Sequence, residues 1–147
     1  MLGRRRRHRS REVTEEPRWS TARVRPRVLV EHADGAVGDH LVAGLRQRGY
    51  DALGCEGPDE QTPCPLLQGR PCAAVEQADA VVTGLVDEAT GRAIATAIHS
   101  SHPDRPLLME GTPLMLRDLE AEMPISPVFP LEVDRVADLL DQRLARR

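Results

Sequence analysis

The chain has 147 residues, enough for one domain with tails, and its net charge of −3 is unevenly spread. Residues 1–27 hold ten arginines against three acids, while the rest of the chain holds ten arginines against twenty acids. No apolar run approaches the roughly 20 residues of a membrane-spanning helix, and no apolar stretch follows the N-terminal arginines as in a secretory signal, so a cytoplasmic protein is expected.

Residues 1–26 include four consecutive arginines at 4–7, two prolines and few apolar groups. Such a segment cannot offset its ordering entropy by burial, and it reads as a disordered basic arm. A basic arm can bind nucleic acid or acidic surfaces through counterion release, but a solvated tail is the plainer reading. Trp19 reads as a stray aromatic. Every one of the 20 basic residues is arginine, so chemistry that needs a lysine amine is excluded.

From Arg27 onward the pattern is regular. Residues 28–30 (Val-Leu-Val) predict a buried strand, and Asp34 can cap the helix that follows. Val37, Leu41, Val42 and Leu45 form a helical stripe, ended by Gly49. Residues 51–55 predict a second, short strand, and 56–71, rich in Pro, Gly and acid, predict a loop. A short helix near 72–77 leads to an apolar strand over 80–83. A helix follows Asp87 and Glu88, with Ile94, Ala97 and Ile98 on one face and His99 near its end. A fourth strand is predicted over 107–109, a helix over 114–123 stopped by Pro124, and a fifth strand over 125–129. The last helix carries Val133, Val136, Ala137, Leu140 and Leu144 on one face. Short apolar strands alternating with helices predict an α/β domain over 27–147, a parallel sheet covered on both faces.

Three segments resemble the receiver domain of bacterial response regulators. Arg27-Val28-Leu29-Val30-Glu31-His32-Ala33-Asp34, continuing to Gly49-Tyr50, is similar to that family's first strand and helix. Asp79-Ala80-Val81-Val82-Thr83-Gly84-Leu85 resembles its third strand, and Val128-Phe129-Pro130-Leu131 its fifth strand and the turn beyond. The resemblance implies a flavodoxin-like, doubly wound sheet of five parallel strands in the order 2-1-3-4-5, with the first and third strands central.

The reactive positions of that family are replaced. The two metal-holding acids fall on His32 and Ala33, next to Asp34; the phosphoacceptor falls on Gly84; the hydroxyl residue falls on Gly111, beside Thr112; and the lysine falls on Phe129. Phosphorylating a carboxylate needs a nucleophilic oxygen, a metal that neutralises phosphoryl charge and a cation that steadies the acyl phosphate. Glycine supplies no nucleophile. The resemblance therefore implies a degenerate, pseudo-receiver pocket, unless Asp79 or Asp87 is the true acceptor. The expected role is a signalling or interaction module, not an enzyme, that pairs with itself or another protein through the fourth and fifth helices. Leu114, Met115 and Leu119 are candidate contact residues.

Cys55, Cys64 and Cys72 are the only cysteines, spaced C-x8-C-x7-C across the loop after the second strand. Parallel α/β sheets bind ligands at that edge, where His32 also emerges. Three readings stay open. With His32 the thiolates could hold zinc or an iron–sulfur cluster, two of them could switch between dithiol and disulfide, or all three could be packing groups. The spacing matches no paired CxxC pattern. Residues 34–38 lack the histidine of a cobalamin-binding loop, and the absence of lysine excludes a Walker loop. An enzymatic cleft would have to use His32, Asp34, Glu110 and Thr112.

Overall fold

The computed structural model describes residues 18–20, 22–84 and 88–145. The arginine run at 4–7, Leu85, Asp87, and Arg146 and Arg147 at the end of the last predicted helix lie outside them. In chain order the elements are β1 (Arg27–His32), α1 (Gly35–Gln47), β2 (Asp51–Cys55), α2 (Ala73–Gln77), β3 (Ala80–Gly84), α3 (Glu88–Ser101), β4 (Leu107–Glu110), α4 (Arg117–Glu122), β5 (Ser126–Val128) and α5 (Val133–Ala145). Every strand pair is parallel and the sheet order is β2-β1-β3-β4-β5.

Apolar runs explain which strands lie inside. All residues of β1 and β3 are buried, whereas β2 is half-exposed along its edge. Alternation along each strand then builds two cores, because successive side chains point to opposite faces. Val28, Val30 and Val82 pack with Leu41 and Leu45 of α1 and Leu140 of α5. Leu29 and Val81 pack on the other face with Val75 of α2, Ile94 and Ile98 of α3 and Leu119 of α4. Burial of each large aliphatic side chain contributes about 1.5–3 kcal/mol.

Local chemistry sets the ends of α1. The Asp34 carboxylate accepts from the Ala36 and Val37 amides at 2.9 and 3.3 Å. At the other end Gly49 has φ +94°, a left-handed conformation that favours glycine. The buried Tyr50 that follows donates its hydroxyl to Asp141 of α5, and burial first, then this partner, raises its pKa. α1 and α5 meet closely at Gly44, where a Cβ would lie 2.5 Å from Val133.

Some expectations shift. α4 is shorter than the predicted 114–123, because 112–116 form a turn in which the Leu116 amide donates to the Thr112 carbonyl at 3.1 Å. Leu114 and Met115 consequently stand exposed, while Leu119 is buried. On α3 it is Ala95, rather than Ala97, that joins Ile94 and Ile98 in the core. β5 ends at Val128, and Phe129, joined to Pro130 by a cis peptide, leaves the sheet.

Trp19 is no stray. Its indole N–H donates to the Ala74 carbonyl at 2.9 Å, and the Arg27 guanidinium lies over its ring, 5.5 Å from the centre. Arg27 also donates to the Ser20 carbonyl at 2.7 Å and to Gln77 at 3.1 Å. Among the described residues no helix is long and apolar enough to cross a membrane.

Candidate functional site

Three neighbouring strands end together: β1 at His32, β3 at Gly84 and β4 at Glu110, with His32 in register with Gly84. The imidazole of His32 is buried and turns over Gly84. Its Nδ1 accepts the Asp34 amide at 3.0 Å, which leaves the ring proton on Nε2, 3.5 Å from Oε2 of Glu110. A Cβ at position 84 would lie 2.5 Å from the His32 ring and 2.9 Å from the Glu110 carboxylate. Real atoms do not approach so closely. The space above the third strand is thus filled by the two side chains that flank it.

The surrounding positions do other work. Ala33 and Asp34 are exposed, and the Asp34 carboxylate is committed to capping α1. Gly111 has φ +147° and donates its amide to Val128 at 2.9 Å, while a Cβ there would press on Leu116. The Thr112 hydroxyl accepts the Met115 amide at 3.3 Å. Phe129 is exposed and, with Gly111 and Thr112, borders a surface cleft of about 410 Å³ against α5. Of the four residues expected for an enzymatic cleft, His32 and Glu110 meet, whereas Asp34 and Thr112 serve backbone amides.

Asp79 sits at the opposite end of β3 from Gly84. It accepts the Arg27 amide at 2.8 Å and pairs with Arg23. It lies at the N-terminal end of the strand, away from the edge where His32 and Glu110 meet.

A second feature lies on the other face of the sheet. The loop 56–72, held by a single 3-10 turn at Pro65–Gln68, covers a cavity of about 390 Å³ between the ends of β1 and β2 and helices α2 and α3. Cys55, Cys64 and Cys72 all line it, and all three are free, half-buried thiols. Burial pushes the Cys55 thiol up to about 11, outweighing an amide bond from Gly57, and burial also raises Cys64. His32 does not line this cavity, and among the described residues no three His, Cys, Asp or Glu side chains are grouped to hold a metal ion. The expected fourth ligand is therefore on the wrong side: strand alternation sends His32 toward α1 and sends Glu31 toward the cysteines.

Glu31 was not foreseen from sequence. It lines the cavity, is only 4 % exposed, and its Oε2 has no hydrogen-bond partner. Cys55 flanks it on β2 and Thr83 on β3, whose hydroxyl is also buried without a partner. Desolvation raises its pKa to about 7. The signal was present: a carboxylate at an inward position of an apolar strand.

No family model and no curated protein matches the sequence. Solved structures do match. A response regulator receiver domain protein from Clostridium thermocellum is 12 % identical with a TM-score of 0.60, over 82 % of this chain and 95 % of that one. The chemotaxis response regulator CheY4 of Vibrio cholerae is 17 % identical with a TM-score of 0.60, over 81 % and 98 %. A putative pilus assembly-related protein from Burkholderia pseudomallei is 20 % identical with a TM-score of 0.58, over 82 % and 90 %. At such identities the likeness is one of architecture: the chain has the flavodoxin-like fold of response-regulator receiver domains.

Proposed function

We propose that this chain is a pseudo-receiver, a signalling module that has lost aspartyl phosphorylation and acts by contact with another protein or a second copy of itself. One observation carries the reading. At the strand end where a phosphoacceptor carboxylate would be needed, Gly84 offers no nucleophile, and His32 and Glu110 fill the space above it. Glu110 adds negative charge where a phosphoryl group would have to sit, and no lysine exists to counter it. Among the described residues His32 and Glu110 have no nucleophile beside them to activate, so the module is read as non-enzymatic. A cytoplasmic setting belongs to the same proposal, in keeping with the free thiols.

Titrating isotope-labelled protein with Mg²⁺ and beryllofluoride, a phosphoryl mimic, tests the pocket. The amides of His32, Gly84 and Glu110 should not move, and saturable shifts there would overturn the reading. For the partner, exposed Leu114 and Met115, beside the turn into α4, supply the contact surface. Sedimentation of wild type and Met115→Asp should reveal self-association that the substitution weakens. A monomer in both cases would move the contact to a different protein.

A sensing role for the cysteines is the second reading, favoured by their sharing one cavity. Zinc or an iron–sulfur cluster would need the sulfurs to draw together, and a redox switch would need thiolates that burial disfavours. Metal analysis of anaerobically purified protein decides it. Stoichiometric zinc or iron supports sensing, and metal-free protein with unreactive thiols removes it.

A further inference from the structure

We propose that the cavity beneath the 56–72 loop binds a small, mainly apolar molecule carrying one cationic nitrogen, which Glu31 receives at its inner end. The site lies at the carboxyl ends of β1 and β2, the edge at which parallel α/β sheets take ligands. Its volume of about 390 Å³ suits a molecule of drug-like size. Leu29, Leu53, Val75 and Ile94 contribute apolar wall, and the thiols add soft, polarisable surface.

Glu31 is the buried polar group in that wall. The Glu31 carboxyl is more than nine-tenths buried, yet its Oε2 has no partner in the protein. A buried acceptor without a partner is destabilising, and a donor brought by a ligand would relieve it. The charge of that donor follows from the rest of the lining. Among the described residues Glu56 and Asp59 also line the cavity and no arginine does; Asp59 accepts the Gln61 and Thr62 amides, but the net field still favours a cation and opposes an anion. This inference is independent of the lost phosphorylation, because it concerns the opposite face of the sheet.

The test uses three molecules of one shape and different charge: tryptamine, tryptophol and indoleacetate. Each is titrated into the full-length, isotope-labelled protein. Tryptamine should bind at least about ten-fold more tightly than indoleacetate, with tryptophol between them, a difference of about 1.4 kcal/mol or more. Amide shifts should centre on Leu29, Cys55, Val75 and Ile94. In Glu31→Gln the amine should lose its advantage over the alcohol while the folded spectrum persists. Equal binding of all three, binding of none, or shifts centred elsewhere would overturn the proposal. So would protein that purifies with zinc or iron held by the three cysteines. The wild-type titration decides the matter even if the variant fails to fold.

Discussion

Gly84 and Glu31 sit on adjacent strands and raise opposite problems. At Gly84 there is no room for a side chain, since a Cβ would overlap the His32 ring and the Glu110 carboxylate. Gly84→Ala should therefore destabilise the protein by about 1–3 kcal/mol, as overpacking does. His32→Ala made together with it should cost less than the two single changes added, and denaturant unfolding of the four proteins measures that coupling. At Glu31 the problem is desolvation. Its folded pKa of about 7 lies above the ordinary 4.5, so between those values the native state holds a proton that the unfolded chain has lost. Stability should fall as pH rises through that window, by roughly 3 kcal/mol in all, and then level off. Among the described residues the other titratable groups on this cavity are Cys55, Cys64, Cys72, Glu56 and Asp59, and none is basic. Glu31→Gln should flatten the slope and be the more stable protein at pH 8, as urea unfolding at pH 5 and pH 8 would register. The glycine that ends the third strand was legible because a single residue type at a strand end is a one-residue fact. The orientation of His32 was not, since it depends on where three strands end relative to one another.

At the scale of elements, apolar runs carried most of the information. The two fully buried strands, β1 and β3, lie at the centre of the sheet, and the stripe on α5 packs as its spacing requires. Errors arose where a contact joins distant parts of the chain. Trp19 meets Ala74 across 55 residues, a pairing that no local pattern encodes. Trp19→Ala removes that hydrogen bond and the stacked Arg27, and should cost about 1–2 kcal/mol. Faster proteolytic cleavage near residues 18–26, with the sheet still folded, would accompany it. An unchanged cleavage rate would mean that the indole contact does not hold this segment. The end of β5 was misjudged for a related reason: Phe129 looks like a strand residue by composition, but it stands exposed outside the sheet.

For the molecule as a whole, the parallel sheet and its two cores form the flavodoxin-like fold of receiver domains, with His32 and Glu110 over Gly84 at the end of β3. A cavity on the α2–α3 face lies under a loop lined by thiols, with the unpartnered Oε2 of Glu31 in its wall. Alternation places these features on opposite faces, so changes in one need not disturb the other. We propose that this scaffold signals without an acyl phosphate. Incubation of the protein with acetyl phosphate and Mg²⁺, followed by intact mass measurement before and after hydroxylamine, tests it most directly. The account predicts an unchanged mass in both samples. A phosphoryl adduct that hydroxylamine removes and that peptide mapping places on an Asp or Glu would contradict it, whereas one on a histidine, whose N–P bond hydroxylamine also cleaves, would not.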